Sequence, residues 1–424
     1  MIRINITAGE SYRYIHDESE NYSLSSNQIN KIIKDRAGVL WIITENGIDY
    51  SAPKSIKFNS LVFGNSDINI ASILKNKNIT AIECFNDNRI WFGTVKGLYL
   101  LDDLTTNPRL IRIPAFDGYH IWSLQPVSKN EIWIGTFGKG LKHFNYTNNK
   151  ISDWDIKNSN VRTQSVFYNK TLLEDREKNI WVGYWGIGAA RINPVTGKSE
   201  LWMNNLKNPN SLSHNDVWVI KEDHLGRIWL GTVGGGLNLF ENKNGGIFHH
   251  WIRTNKVKNS LSSNNIHSIC EAKNSNNTID SITILWIGTT YGLNRFEVIN
   301  RDPENIYNVE IRNKSFSVED GLPDNAINSI IEDRQGNLWL GTGSGISFFN
   351  VGEETFTNYS SADGINGTLM NQESSLMLKN GSIIVGSTGG LNIFNPEQIK
   401  LSQFKPNLVI TDFQIFNKTV EIGR

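Results

Sequence analysis

Tyr184 and Trp185 stand side by side in the segment Gly183-Tyr184-Trp185-Gly186. Similar segments elsewhere carry Thr at the first position, followed by Val95, Phe137, Val233, Thr290 or Gly343. Two adjacent aromatic rings in a turn need a reason, and contact with a ligand is one. Other residues depart from their counterparts in the same way: His120 and Trp122, Lys139 in the turn after Phe137, Asn215, Asp216 and Trp218, then His267 and Tyr291. Aromatic faces stack on the apolar faces of sugar rings. Asn, Asp, His and Lys exchange hydrogen bonds with hydroxyls, and most ligand sites mix the two kinds of group. Core packing is the competing expectation for Trp122 and Trp218, which lie in strand-like segments, and for Tyr184 and Trp185, which lie in a turn.

Other chemistries find less support. Glycoside hydrolysis needs two carboxylates at a fixed separation. The acidic pairs Glu174-Asp175, Glu222-Asp223 and Glu332-Asp333 recur at one place in a repeated pattern, which reads as turn formation. Cys84 and Cys270 are too few for a thiolate zinc site or a disulfide scaffold, and read as small buried apolar residues. His249-His250 would point to opposite faces of a strand. No metal-spaced histidine cluster, nucleophile triad or phosphate loop can be assigned, so no cofactor and no metal are expected. Lys plus Arg and Asp plus Glu both number 42, which gives no basic stripe for nucleic acid. No run of 18 apolar residues suggests a membrane span, and Met1 to Asn5 lacks an apolar stretch behind it, so no signal peptide is expected.

The elements that position these residues are written eight times. Asn337-Leu338-Trp339-Leu340-Gly341-Thr342 has counterparts centred on Trp41, Trp91, Trp133, Trp181, Trp229 and Trp286, and on Ile384, which replaces Trp. Trp41 to Ile384 is 343 residues in seven steps, a period of 49. Each unit runs in the same order: an apolar segment, an Asp-containing turn, the Trp segment, a Gly-containing turn, then one or two short apolar segments. Runs of four to six residues rich in Ile, Val, Phe and Trp, bounded by Gly, Asn and Asp, are strands. Four antiparallel strands per unit at such a period define the blade of a β-propeller, an all-β fold. In this geometry the blade-joining loops (Ser211-Leu212-Ser213-His214-Asn215 and its copies) and the Gly turns share one end, where a ligand site is expected.

The ring can close with seven blades or eight, and seven is favoured. Residues 1–52 are then a repeat left over from an upstream propeller, with a strand at Tyr12–Ile15. Residues 53–403 form the ring, with Ile56-Lys57-Phe58 completing its last blade, and 404–424 begin another β domain. The polar join at 63–78 favours a boundary there. Asn274 to Asp280 is expected to be an exposed loop insertion.

The pattern Asn-x-Ile-x-x-Ile-x-x-Asp-x-x-Gly-x-Leu-Trp-x-Gly-Thr-x-x-Gly-Leu, as in Asn325 to Ile346, resembles the two-component regulator propeller repeat. Residues 407–423 resemble the start of the Tyr-rich immunoglobulin-like domain that follows it. The resemblance covers nearly the whole chain. It implies the periplasmic sensor region of a Bacteroidetes-type hybrid two-component histidine kinase, commonly a homodimer that recognises oligosaccharides from glycan breakdown. The chain lacks the kinase itself, so the resemblance implies no enzyme here. A propeller polysaccharide lyase or hydrolase, or a protein-interaction scaffold, is the alternative.

Overall fold

The computed structural model describes the chain except residues 6–9, 19–22, 36–38, 52–57, 59–72, 86–88, 103–107, 155, 157–167, 255–259, 274–281, 303, 400–413, 416–417 and 420–424. The expected insertion at Asn274–Asp280 and most of the C-terminal pattern lie outside the described residues. Contacts divide the chain into two compact units, residues 56–398 and residues 1–55 with 399–424.

In the larger unit every Trp segment is the second strand of an antiparallel sheet. The Trp91 sheet comprises Ile79–Phe85, Arg89–Thr94, Gly97–Asp102 and Arg109–Ile113. The Trp133 sheet comprises Ile121–Pro126, Glu131–Thr136, Leu141–Asn145 and Lys150–Trp154. The Trp181 sheet has Asn169–Glu174, Ile180–Tyr184, Ala189–Ile192 and Ser199–Trp202. The Trp229 sheet has Val217–Glu222, Ile228–Thr232, Leu237–Glu241 and Ile247–Trp251. The Trp286 sheet has Ile266–Glu271, Ile282–Thr289, Gly292–Asn300 and Val309–Phe316. The Trp339 sheet has Ile327–Glu332, Leu338–Thr342, Gly345–Asn350 and Thr355–Tyr359. The last sheet pairs three strands, Met370–Met377, Ile383–Ser387 and Gly390–Phe394. The fold is a β-propeller, as the repeat predicts.

The six tryptophans of these sheets are 3% exposed or less. Each reaches toward the following sheet. Trp181 meets Phe240 at 5.0 Å and Trp339 meets Phe394 at 4.7 Å, ring centre to ring centre. Burying a side chain of this size contributes about 1.5–3 kcal/mol, so the repeated Trp is the glue between sheets. Ile384 stands in the Trp place of the last sheet. It packs with Ile82, Ile90 and Leu101 of the Trp91 sheet.

Backbone spacing explains the Gly that follows each Trp segment. A methyl built on Gly135 would lie 2.1 Å from Ser123 Oγ and 2.7 Å from the Asn169 carbonyl of the next sheet. Inner edges therefore touch, and no Cβ fits. The same 2.7 Å separates a methyl on Gly386 from the Ile79 carbonyl, and Ser374 Oγ donates to that carbonyl at 3.0 Å. The last sheet thus meets the Trp91 sheet as neighbours meet elsewhere. Phe58 is fully buried, edge-on to Phe394 at 4.8 Å and to Tyr359 at 5.2 Å. Fourth-strand Phe248 and Phe356 also meet third-strand Phe240 and Phe349, at 5.3 and 4.5 Å with tilted rings.

The acidic pairs are indeed turn-formers, with a specific duty. Asp175, Asp223 and Asp333 accept the indole N–H of Trp181, Trp229 and Trp339 at 2.8, 2.8 and 3.1 Å. Their other oxygen holds the backbone N–H four residues on, at 2.8–3.0 Å. Glu222 and Glu332 accept backbone N–H groups of Arg176 and Lys273 in the preceding turn at 3.0 and 2.7 Å.

The smaller unit has a three-stranded sheet, Ile29–Lys34, Leu40–Thr44 and Gly47–Ser51. Trp41 there is 41% exposed, although its indole still donates to Asp35 at 3.0 Å. Ile2–Asn5 pairs with Glu10–Arg13, slightly earlier than the strand expected at Tyr12–Ile15. Gln414–Ile415 pairs with Lys418–Thr419.

Candidate functional site

The innermost strand of each four-stranded sheet drops out of register after its first residue. The breaks fall between Ile79 and Ala81, Ile121 and Ser123, Asn169 and Thr171, Val217 and Val219, Ile266 and Ser268, and Ile327 and Ser329. One residue per sheet is left without a ladder partner: Thr80, Trp122, Lys170, Trp218, His267 and Asn328. In the last sheet the break spans Met370 to Ser375, two residues longer than its counterparts, and adds Gln372 and Glu373. A bulge re-aims a side chain and is frequent next to functional sites. Here the bulged residues encircle one end of the central axis.

They form a continuous chain of contacts. The Lys170 ammonium lies 5.4 Å from the Trp122 ring centre and 5.3 Å from that of Trp218. Trp218 stacks on His267 at 5.7 Å, His267 Nδ1–H donates to Asn328 Oδ1 at 3.1 Å, and Asn328 Nδ2 donates to the Met370 carbonyl at 2.8 Å. Asn371 Nδ2 donates to the Ile79 carbonyl at 2.6 Å. A cavity of about 300 Å³ opens among Trp122, Lys170, Asn328, Asn371 and Gln372. That volume is at the small end of the roughly 300–1,000 Å³ of ligand pockets.

An aromatic rim stands beside the cavity. Trp122 faces Phe137 at 4.8 Å and Trp185 at 5.9 Å. Tyr168 contacts Phe137 at 4.5 Å and Trp185 at 5.7 Å. His120 lies 5.3 Å from Phe137, with its Nε2 buried and unpartnered among the described residues. Trp185 is 44% exposed, so one side of this cluster faces solvent.

Charge gathers deeper along the axis. Burial pushes the Glu83 carboxyl up to about 7, against the opposing pull of Lys221; Glu373 is raised toward the same value, but its side chain is exposed and solvent reduces the effect. Burial lowers the Lys170 ammonium to about 8, with Glu373 opposing. These groups come from four different sheets, so they influence one another across the axis. His267 is lowered to about 4 by burial, and it is neutral at neutral pH. Burial raises the Cys270 thiol to about 11, which fits an inert residue.

The structure thus brings together His120, Trp122 and Trp185, with Trp218 and His267 on the far side of Lys170. Tyr184 requires correction as a ligand-facing residue. It is 2% exposed and packs with Trp133, Leu172 and Ile192, because it ends the Trp strand opposite Asn169, a place that is always buried. Asn215 also has an architectural duty. Its Oδ1 accepts the Asn204 backbone N–H at 2.7 Å, as Asn264 and Asn325 accept those of Arg253 and Val318. Asp216 lies 3.8 Å from His214 Nδ1. Lys139 is exposed over the Tyr119 ring at 5.2 Å, and Tyr291, 58% exposed, lies under Arg253 at 5.8 Å. Sequence reasoning missed Lys170, Tyr168 and the 371–373 insertion. Aligning the units on their Gly residues places Lys170 in register with Trp122, Trp218 and His267, and that was the available signal.

Sheets arranged around an axis, with a polar and aromatic cavity at one end, define a β-propeller. The two component regulator propeller model matches residues 23–46, 211–234 and 321–344. A relative, histidine kinase P4 of Formosa agariphila, is 28% identical over 34% of this chain and 13% of the kinase. Among solved structures, the extracellular domain of a hybrid two component system from B. thetaiotaomicron superposes with a TM-score of 0.66. It is 23% identical, over 99% of this chain and 53% of that one. PorZ, a surface component of the type-IX secretion system of Porphyromonas gingivalis, superposes at 0.56 with 12% identity, over 90% of this chain and 54% of that one. The chain therefore spans about half of these solved structures and a small part of the kinase. At such identities the structures speak for the fold.

Proposed function

We propose that this chain is a ligand-sensing domain of a hybrid two-component signalling protein. It sits on the periplasmic side and recognises glycan-derived oligosaccharides. The observation that carries the reading is the cavity beside Trp122 and the exposed Trp185, where ring faces and amide groups converge. Sugars need that pairing, because their ring faces are apolar and their edges are hydroxylated. The propeller repeats and the histidine kinase relative support the signalling context. Relay falls to a kinase carried elsewhere in the parent protein, which is proposed to act as a homodimer. Residues 1–52 are proposed to belong to an upstream propeller, in keeping with the exposed Trp41, and residues 404–424 to open a following β domain.

The carboxylate pairs weighed above for hydrolysis are engaged in holding Trp indoles and backbone N–H groups, which leaves the binding reading better supported than a glycosidase. A thermal-shift screen of oligosaccharides against the purified chain tests it. A ligand that binds only the folded state raises the midpoint. Binding without turnover is the expected result. Cleavage of the bound saccharide would make the chain an enzyme, and binding of proteins alone would make it a scaffold.

A further inference from the structure

The cavity at the end of the axis holds a single charged side chain. Thr80, Asn328, Asn371 and Gln372 supply neutral polar groups, Trp122 an aromatic wall, and Lys170 the charge. The Lys170 stem crosses between Trp122 and Trp218, whose ring faces attract the ammonium and fix its position. Among the described residues no carboxylate lies within the 4.0 Å of an ion pair with it. Glu373 is the acid whose charge acts on it, and Glu373 and Glu83 are both raised toward 7, Glu373 with a side chain still open to solvent. Neither of them lines the cavity, so among the described residues the ammonium has no carboxylate beside it there. Lys221 adds a second positive charge on the same side of that balance, while His267 is neutral and His120 is pushed toward neutrality by burial and by Lys170 itself. A cation partly withdrawn from water and short of a counter-charge is a place where an incoming anion gains more than it would at the surface.

We propose that the saccharide bound at this end carries an anionic group, a carboxylate or a sulfate ester, and that Lys170 receives it beside the Trp122 ring. The inference rests on the saccharide reading above and narrows it to acidic glycans. The neutral ring of the same sugar residue stacks on Trp122, and the Asn328, Asn371 and Gln372 amides take its hydroxyls. Glu373 is not among the residues lining the cavity, so no carboxylate of the described residues occupies the place of the anion there.

The test uses the whole chain and three sets of di- to tetrasaccharides: uronate-containing, sulfated, and neutral ones of matched linkage. Affinity is read by titration calorimetry and by tryptophan fluorescence, with Trp122→Phe showing which part of the signal of the thirteen tryptophans comes from Trp122. Lys170→Met removes the charge while keeping the length of the stem, and Lys170→Arg restores the charge. The expected result is that an acidic saccharide binds at least tenfold tighter than its neutral counterpart. Lys170→Met should abolish the difference, Lys170→Arg should recover most of it, and both variants should melt no lower than the parent. The uronate and sulfate arms identify which anion is preferred. Equal affinity for acidic and neutral saccharides would overturn the proposal and leave the saccharide reading standing. So would an acid preference that survives Lys170→Met. If no saccharide of any set binds the folded chain, both readings fall.

Discussion

Trp185 shows what a single residue can decide. Its ring touches Trp122 and Tyr168, yet 44% of it remains exposed. Trp185→Ala should weaken oligosaccharide binding by about 1–3 kcal/mol, the scale of a lost aromatic anchor, and move the melting midpoint little. A large fall in midpoint with affinity intact would make it a packing residue. Glu83 and Glu373 make a different kind of prediction. Both are raised toward about 7 in the folded chain from an ordinary 4.5, Glu83 contributing the larger share because the Glu373 side chain is exposed. The native state therefore holds extra protons between those values, and stability falls as pH rises through that window. His267 works the other way between about 4 and its ordinary 6.5, so the two carboxyls outweigh it. Replacing both by Gln fixes the neutral form. Calorimetry should show the Glu83→Gln, Glu373→Gln double variant melting a few degrees above the parent at pH 8 and level with it at pH 5. A lower midpoint at pH 8 would mean that the lysines hold the carboxylates ionised.

At the scale of the element, the turn between the first two strands has a latch, and the latches differ in strength. Asp223 and Arg227 are both fully buried and paired at 2.6 Å, while Asp223 also holds the Trp229 indole and Arg227 reaches Thr283 of the next sheet at 2.7 Å. Asp223→Ala strands the guanidinium in the protein interior. It should cost about 3–5 kcal/mol in denaturant unfolding. Asp35→Ala, where the latched Trp41 is exposed, should cost about 0.5–1.5 kcal/mol, as a single hydrogen bond does. Near-equal losses would show that the indole contact alone matters. The latch was half legible in the sequence. Asp-x-x-Gly read correctly as a turn, but nothing in spacing showed that the Asp reaches a Trp six residues on. The bulges were illegible for a similar reason. Strict alternation of inward and outward residues places Trp122 and Trp218 by parity, whereas the extra residue in each inner strand re-aims them toward the axis beside Lys170. Tyr184 failed in reverse, since a turn position in the sequence became the buried end of a strand.

For the whole molecule, the period of 49 and the Trp motif were enough to specify a β-propeller, because each unit must bury its Trp against a neighbour. The blade number was not fixed by the pattern, since eight motifs allow two rings. We propose closure at seven, on the contacts of Ser374 and Gly386 with Ile79 and of Phe58 with Phe394. A chain beginning at Pro53 should then melt cooperatively near the parent midpoint, and one beginning at Gly64 should be markedly less stable. Phe58→Ala in the intact chain should cost about 3–5 kcal/mol, as for other fully buried aromatics. An aggregated or unfolded Pro53 chain would favour the ring of eight.

The contact between Ser374 and Ile79 joins residues 295 apart in sequence. Every other neighbouring pair of sheets is linked within a few tens of residues, so those sheets can zip up locally as the chain emerges. The last join cannot form until almost the entire chain has been made, and it carries the largest loop-closure entropy in the fold. Until then the apolar faces of the Trp91 sheet and of the last sheet, which pack Ile82 and Ile90 with Ile384, remain open to association with other chains. Assembly of this protein therefore has a late, order-dependent step, and the same seam that completes the cavity is where misassembly begins.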